Sequence, residues 1–235
     1  MRSPVTRSLV FAREQLRTPF TLALLIAIPV LFVISAAGVL SDFASVLGGS
    51  LAADAAVALS AGWAAAFVSG TLGFFQAASS RGADRRLALA GSGPWRIAVS
   101  RISASVLLAL VAAASAFAAL ELRSGVAHPV HASVAIVAFA LIYVGVGVVV
   151  GSIIRTPLEG SLLVAFVFLL DTFSGPGMAS APPAWAISQK AADVLIAAGG
   201  GARSPDGDWV ALATVTTGSL LAAFTVFAIA ARSRA

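Results

Sequence analysis

The chain has 235 residues, of which 59% are apolar and only 11% are charged, and its formal net charge at pH 7 is +5. A mean hydropathy of +0.98 lies outside the range of soluble globular domains, so the composition indicates a membrane protein. Cysteine is absent, which excludes disulfides and thiolate metal sites. The basic balance would suggest nucleic-acid binding in a soluble protein, but here the charges must first be placed relative to the membrane.

Residues 1–18 predict a helix that lies in the headgroup region. Apolar side chains recur at helical spacing from Val5 to Leu16, and Arg7, Arg13 and Arg17 are interleaved with them. The alternative is a solvated basic tail that only sets the topology. A cleaved signal peptide is disfavoured, because the apolar run that follows is longer than a signal sequence needs.

Six transmembrane helices are predicted, because a helix needs about 20 apolar residues to cross the hydrocarbon core. Five stretches of about this length contain no Asp, Glu, Lys or Arg: 19–40, 55–78, 102–120, 132–154 and 209–231. A shorter sixth stretch, 158–173, carries Glu159 and Asp171 near its ends. We expect Asp171 to lie at the outer interface, with a buried functional acid as the alternative. The whole chain is therefore read as one all-α membrane domain, 1–235.

The charges fall on opposite sides of these six spans. Twelve of the fifteen Lys and Arg residues lie on one side, and seven of the ten acids lie on the other. Because Lys and Arg collect in cytoplasmic loops, the chain is predicted to be a multi-pass protein of a bacterial-type inner (plasma) membrane with both termini in the cytoplasm.

Within the spans the sequence offers packing features. Gly145, Gly147 and Gly151 form a small-residue pattern that would let another helix approach closely. Pro29 is expected to kink the first span. Four aromatic residues on the second span are candidates to line a pathway, although aromatic side chains in spans more often face lipid or neighbouring helices. These residues are Trp63, Phe67, Phe74 and Phe75.

The basic loop 81–96 is predicted to contain a short helix from Arg81 to Ala90, ended by the Gly-Ser-Gly-Pro sequence that follows. Its arginines could merely set topology and bind anionic lipid. Nucleic-acid binding is disfavoured, because the charges lie on a thin loop against the bilayer. The third reading is docking to a cytoplasmic subunit, with Leu87 and Leu89 as apolar anchors. The residues available to such a partner are Arg81, Asp84, Arg85, Arg86, Leu87, Leu89, Trp95 and Arg96.

The predicted outer loop before the last span has helical periodicity over residues 182–198, ended by three glycines. We expect a short amphipathic helix that rests on the outer membrane face or caps the bundle.

Catalytic and cofactor motifs are missing. The sequence has no phosphate-binding loop, no nucleophile elbow and no HExxH pair. His128 and His131 flank Pro129 without a third close ligand, which makes a poor metal site. We therefore predict no catalytic residues and no metal or cofactor in this chain.

Several ordered features give the chain a resemblance to the integral membrane subunits of the ATP-binding-cassette (ABC) type 2 permease family. They are REQLRTP at 13–19, RRLAL at 85–89, GPWR at 93–96, FSG at 173–175 and PPAW at 182–185. The region 81–96 begins RGAD and so lacks the acidic residue that the family often has near its start, and the insert 199–208 has no counterpart in the family pattern.

The resemblance implies an export permease with six spans, an N-terminal interfacial helix, a coupling helix within 81–96 and short external helices before the last span. It implies a partner ABC ATPase subunit that holds ATP and Mg, and a second permease copy or a sister permease. Uncharged spans point to an apolar or amphiphilic cargo. The alternative function is a non-transporting membrane scaffold or assembly protein.

Overall fold

The computed structural model describes residues 19–46, 51–154, 156–176, 178, 183, 186–199 and 209–232. The predicted interfacial helix with Arg7, Arg13 and Arg17 lies outside these residues. The described part is helical, without strands, and its helices are α1 Pro19–Val46, α2 Ala53–Ser79, α3 Arg81–Leu89, α4 Pro94–Arg123, α5 Pro129–Ile153, α6 Pro157–Phe173, α7 Gln189–Ala198 and α8 Trp209–Arg232.

Proline and glycine set the helix ends where the sequence predicts breaks. Pro94, Pro129 and Pro157 each stand in the first turn of a helix, where a missing N–H costs nothing. The end of α3 is a Schellman motif, in which Gly91 has φ +81° and the N–H of Ser92 donates to the carbonyl of Leu87 at 2.9 Å.

Four helices are long and apolar enough to cross a membrane: α2, α4, α5 and α8. A fifth is possible if α1 counts as one span, because α1 is bent by 57° between Ala36 and Gly38. With 17 residues, α6 is too short to be counted among them. The described residues therefore support a membrane-embedded helical protein with four or five spans, whereas the sequence predicts six.

The sequence predicted a kink at Pro29, but the 57° bend in α1 lies further along the chain, between Ala36 and Gly38. The carbonyls of Val33 and Ile34, which in a straight helix face residues 37 and 38, lie beside this bend. The Arg123 guanidinium at the end of α4 donates to these two carbonyls. The bend is thus stabilised by a donor distant in sequence.

The most extensive helix contact joins α2 and α5, and glycines make it close. A Cβ on Gly147 would collide with the backbone of Gly70, and one on Gly73 would lie 2.8 Å from the carbonyl oxygen of Val144. A Cβ on Gly151 would lie 2.6 Å from the carbonyl oxygen of Phe74. The backbones of α2 and α5 therefore pass within a distance that no larger residue permits.

Helices α6 and α8 also pack against this pair, and their contacts lie at glycines as well. Gly145 faces Ser219 of α8, whose hydroxyl donates to the carbonyl of Ile142 at 2.8 Å. The ring of Phe74 occupies the space above Gly160 of α6. Each contact places a glycine where a neighbouring helix comes closest.

The structure places α7 inside the bundle. This helix begins at Gln189, whereas the sequence predicted 182–198, and it buries Leu195 beside Gly62 of α2 and Phe139 of α5. Its far end lies at the start of α5, where the N–H of His128 donates to the carbonyl of Ala198 at 3.4 Å. The sequence prediction offered two positions for this helix, on the outer membrane face or capping the bundle; the structure packs its small apolar side chains against the starts of α2 and α5.

The glycine contact predicts a specific sensitivity to added volume. Gly147→Ala should lower the free energy of unfolding by about 1–3 kcal/mol, because the new methyl overpacks the contact with Gly70. Thermal unfolding in detergent, followed by intrinsic fluorescence, measures the loss. Gly218→Ala on α8 is the matched control, since nothing lies within 4 Å of its added Cβ. Equal losses in the two variants would contradict the close-contact account.

Candidate functional site

Helix α3 and its surroundings form the first polar cluster, at the end of the bundle where α2 ends and α4 begins. We call this the α3 end. The helix is short and amphipathic: Asp84 is buried, Leu87 is half-buried, and Arg86 and Leu89 are exposed. An isolated helix of this length is unstable in water, so its bonds to the larger helices must hold it.

Arg81 ties the start of α3 to the end of α5. Its Nη2 donates to the carbonyl of Gly151 at 2.5 Å and to the carbonyl of Ile154. The last carbonyls of a helix have no hydrogen-bond partner within the helix and carry a partial negative charge. A guanidinium there supplies both the missing donors and an opposite charge.

Asp84 ties α3 to α4. Its Oδ1 accepts hydrogen bonds from Arg101 at 2.9 Å and 3.1 Å, and its Oδ2 accepts one from the hydroxyl of Ser80 at 2.8 Å. The side chains of Asp84 and Arg101 are 6% and 12% exposed, so the two charges compensate each other largely away from water. Together with Arg81, this pair fixes which face of α3 turns outward.

The outward face is basic and apolar. Leu89 is 71% exposed, and Arg86 and Arg96 are exposed as well. Trp95 is 43% exposed and lies against Phe224 of α8, with 4.9 Å between ring centroids.

The residues predicted for docking therefore separate into two groups. Arg81 and Asp84 bond within the chain, and Leu87 packs against the core. Arg86 and Leu89 of α3, with Trp95 and Arg96 at the start of α4, are exposed, and we call these four residues the α3 surface. The side chain of Arg85 lies outside the described part of the chain. Charge pattern alone could not separate these groups, because the inward members are as polar as the outward ones.

A second polar cluster lies within the bundle, where α6 ends. Asp171 is 2% exposed. Its Oδ2 accepts a hydrogen bond from the hydroxyl of Tyr143 at 2.6 Å, and its carboxylate accepts the N–H of Ser188, just before α7, at 3.2 Å. The favoured expectation of an interfacial Asp171 is thus wrong: this acid joins α5, α6 and the start of α7. The sequence signal was present, since an acid in an apolar segment usually has a role.

The four aromatic residues of α2 lie on different faces. Trp63 and Phe74 are buried, whereas Phe67 and Phe75 are 37% and 46% exposed. The ring of Phe67 lies against Phe168 of α6, with 5.3 Å between centroids.

A strip of α2 between its two neighbouring helices is open. On one side of it Val68 packs with Leu25 of α1, and on the other Phe67 meets α6. By helical rotation, Thr71 and Phe75 lie between these contacts. The C-terminal ends of α1 and α6 meet at Phe43 and Phe173, with 5.1 Å between ring centroids. We call this open strip the α2 groove.

The two histidines lie near Trp209, with 5.5 Å between their own ring centroids and 5.2 Å from His131 to the indole. Nowhere in the described residues do three His, Asp or Glu side chains come close enough to share a metal ion.

Comparison with known proteins gives no assignment: no protein-family model matches the chain, and no curated protein matches its sequence. The site must therefore be interpreted from its own geometry.

The Asp84–Arg101 pair predicts how α3 responds to charge changes. Arg101→Asp should raise amide hydrogen exchange in residues 81–89 by at least about tenfold, because breaking a buried ion pair costs about 3 kcal/mol. Exchange is measured by mass spectrometry. The swap Asp84→Arg with Arg101→Asp should restore much of the protection, and Arg86→Ala on the exposed face should leave it unchanged. Unaltered exchange in Arg101→Asp would show that other contacts hold α3.

Proposed function

We propose that this chain is the membrane-spanning permease subunit of an ABC exporter, driven by a separate cytoplasmic ATPase. The observation that carries the proposal is α3, a short helix bonded to α4 and α5 that presents Arg86 and Leu89 outward. A helix needs no such bonds if its arginines only set topology. A fixed helix with a basic and apolar outer face fits a groove with an acidic rim on a partner.

Energy would come from the partner subunit. The chain has no phosphate-binding loop, so ATP and Mg would be held by the ATPase. ATP-driven closure of the ATPase would displace α3, and the bonds from Arg81 and Asp84 would carry that displacement to α5 and α4. The bundle would then exchange between two arrangements whose populations nucleotide shifts.

The α3 end would face the cytoplasm of a bacterial-type inner membrane. Arg81, Arg86, Arg96 and Arg101 all belong to this end, and Lys and Arg collect in cytoplasmic segments. In this orientation the remaining span of the permease topology would consist of α6 and α7 in series, since Asp171 near the end of α6 bonds to Ser188 just before α7, and α7 continues to the level of His128. The topology then keeps both termini in the cytoplasm.

The α2 groove would form part of the cargo pathway, with Phe67 and Phe75 as its exposed aromatic residues. A second copy of the chain, or a sister permease, would complete the pathway from the other side. Exposed aromatic rings suit an apolar or amphiphilic cargo.

The proposal predicts that the ATPase binds through the α3 surface. When the chain is purified in detergent with a candidate ABC ATPase, Arg86→Glu combined with Leu89→Ala should reduce recovery of the ATPase by at least about tenfold, as expected when apolar and charged anchors are lost together. Recovery is quantified on gels at equal permease loading.

Two matched variants control this experiment. Leu122→Ala removes a side chain that is 90% exposed at the opposite end of α4, and Arg232→Glu reverses a charge at the end of α8. Both should retain the ATPase. If the native chain retains no ATPase, the permease proposal is wrong and a scaffold is favoured. If the α3 variant keeps its ATPase as fully as the native chain does, docking uses another surface.

A further inference from the structure

Three aromatic rings connect the α2 groove to the buried carboxylate of Asp171. Phe67 is exposed in the groove, and its ring lies 5.3 Å from that of Phe168. Phe168 lies 5.7 Å from the ring of Tyr143, edge to face, and the Tyr143 hydroxyl donates to Asp171. Successive contacts therefore connect the exposed ring of Phe67, through Phe168 and Tyr143, to the carboxylate of Asp171.

The charge on Asp171 is compensated differently from that on Asp84. Asp84 is paired with the guanidinium of Arg101. The described donors to Asp171 are neutral: the hydroxyl of Tyr143 and the backbone N–H of Ser188. Residues 172–189, which separate Asp171 from Lys190 of α7, contain no Lys, Arg or His. An acid within an apolar bundle is costly, and hydrogen bonds from neutral groups offset that cost less than a cation does.

We propose that Asp171, Tyr143, Phe168 and Phe67 recognise an organic cation with apolar substituents. The carboxylate supplies the opposite charge, and the ring faces attract a cation and bury its apolar groups. This inference rests on the proposed function in one respect, since it takes the bound molecule to be the cargo of the exporter.

A bare metal ion fits this arrangement less well. Hard cations need several oxygen ligands, and the described residues hold no group of three His, Asp or Glu side chains that could supply them. Aromatic rings, in contrast, suit a large and weakly hydrated cation such as a phosphonium or a quaternary ammonium.

Access to the acid requires the helices around it to separate, because Asp171 and Tyr143 are 2% and 1% exposed. Phe168, 8% exposed, stands between the open ring of Phe67 and the buried Tyr143. Displacement of Phe168 together with a separation of α2 from α6 would open a route from the groove to the carboxylate. The cation would then replace neutral donors as the main partner of Asp171.

Binding of radiolabelled tetraphenylphosphonium to the purified full chain in lipid nanodiscs tests this inference. The native chain should bind the cation saturably, and Asp171→Asn should weaken binding by about thirtyfold or more, because one charge of a buried pair is lost. Phe67→Ala should weaken it between about two- and fivefold. Tetraphenylborate, which has the same shape and the opposite charge, should compete poorly.

Controls separate charge recognition from damage to the fold. Asp42→Asn removes an exposed acid, and Phe166→Ala removes a ring that is 57% exposed on α6; both should bind like the native chain. If Asp171→Asn does not fold, Phe67→Ala and the borate competition still decide. The inference is overturned if the native chain does not bind the cation, if Asp171→Asn or Phe67→Ala binds it unchanged, or if the borate competes equally. The assay uses no ATPase, so a failure of ATPase docking would be seen separately.

Discussion

The contact between α2 and α5 is the constraint on which the rest of the fold depends. In lipid, apolar side chains gain little by leaving one apolar surface for another, so helices associate through close van der Waals packing. Gly73, Gly147 and Gly151 bring the two backbones together, and added side-chain volume there would force them apart. The surrounding helices meet this pair at further glycines: α6 at Gly160, α7 at Gly62 and α8 at Gly145. Small residues thus determine where each neighbour sits.

Arginine solves a second problem of a membrane-embedded helix, which is the unpaired carbonyl. Arg81 donates to the last carbonyls of α5, and Arg123 donates to carbonyls at the bend of α1. Without water, each such carbonyl would cost several kcal/mol if left unpaired. The positive-inside rule uses an arginine only to assign a side of the membrane. Arg81 and Arg123 also determine local structure, because their guanidinium groups pair with helix carbonyls. This is why Arg81 lies inward while Arg86, five residues along the chain, lies outward.

The sequence predicts those features that depend on local pattern. The end of α3 follows from Gly91, and the starts of α4, α5 and α6 follow from Pro94, Pro129 and Pro157. The long spans follow from the length of the apolar stretches. Features that depend on a distant partner were missed. The buried state of Asp171 requires Tyr143 and Ser188, the bend of α1 requires Arg123, and the inward position of α7 requires the notch at Gly62. The division of the α3 residues into inward and outward groups has the same cause, since Arg101 and the end of α5 select the inward members.

Helix α5 connects the two polar clusters physically. Its end receives Arg81 at Gly151, and Tyr143 of the same helix donates to Asp171. These two residues of α5 are about 12 Å apart along the helix axis, because each residue rises about 1.5 Å. A push on α3 would therefore shift the Tyr143 hydroxyl, which donates to Asp171, relative to α6. On the proposed function, nucleotide-driven movement of α3 would weaken or restore the Tyr143 bond, and so change how strongly the carboxylate holds a cation.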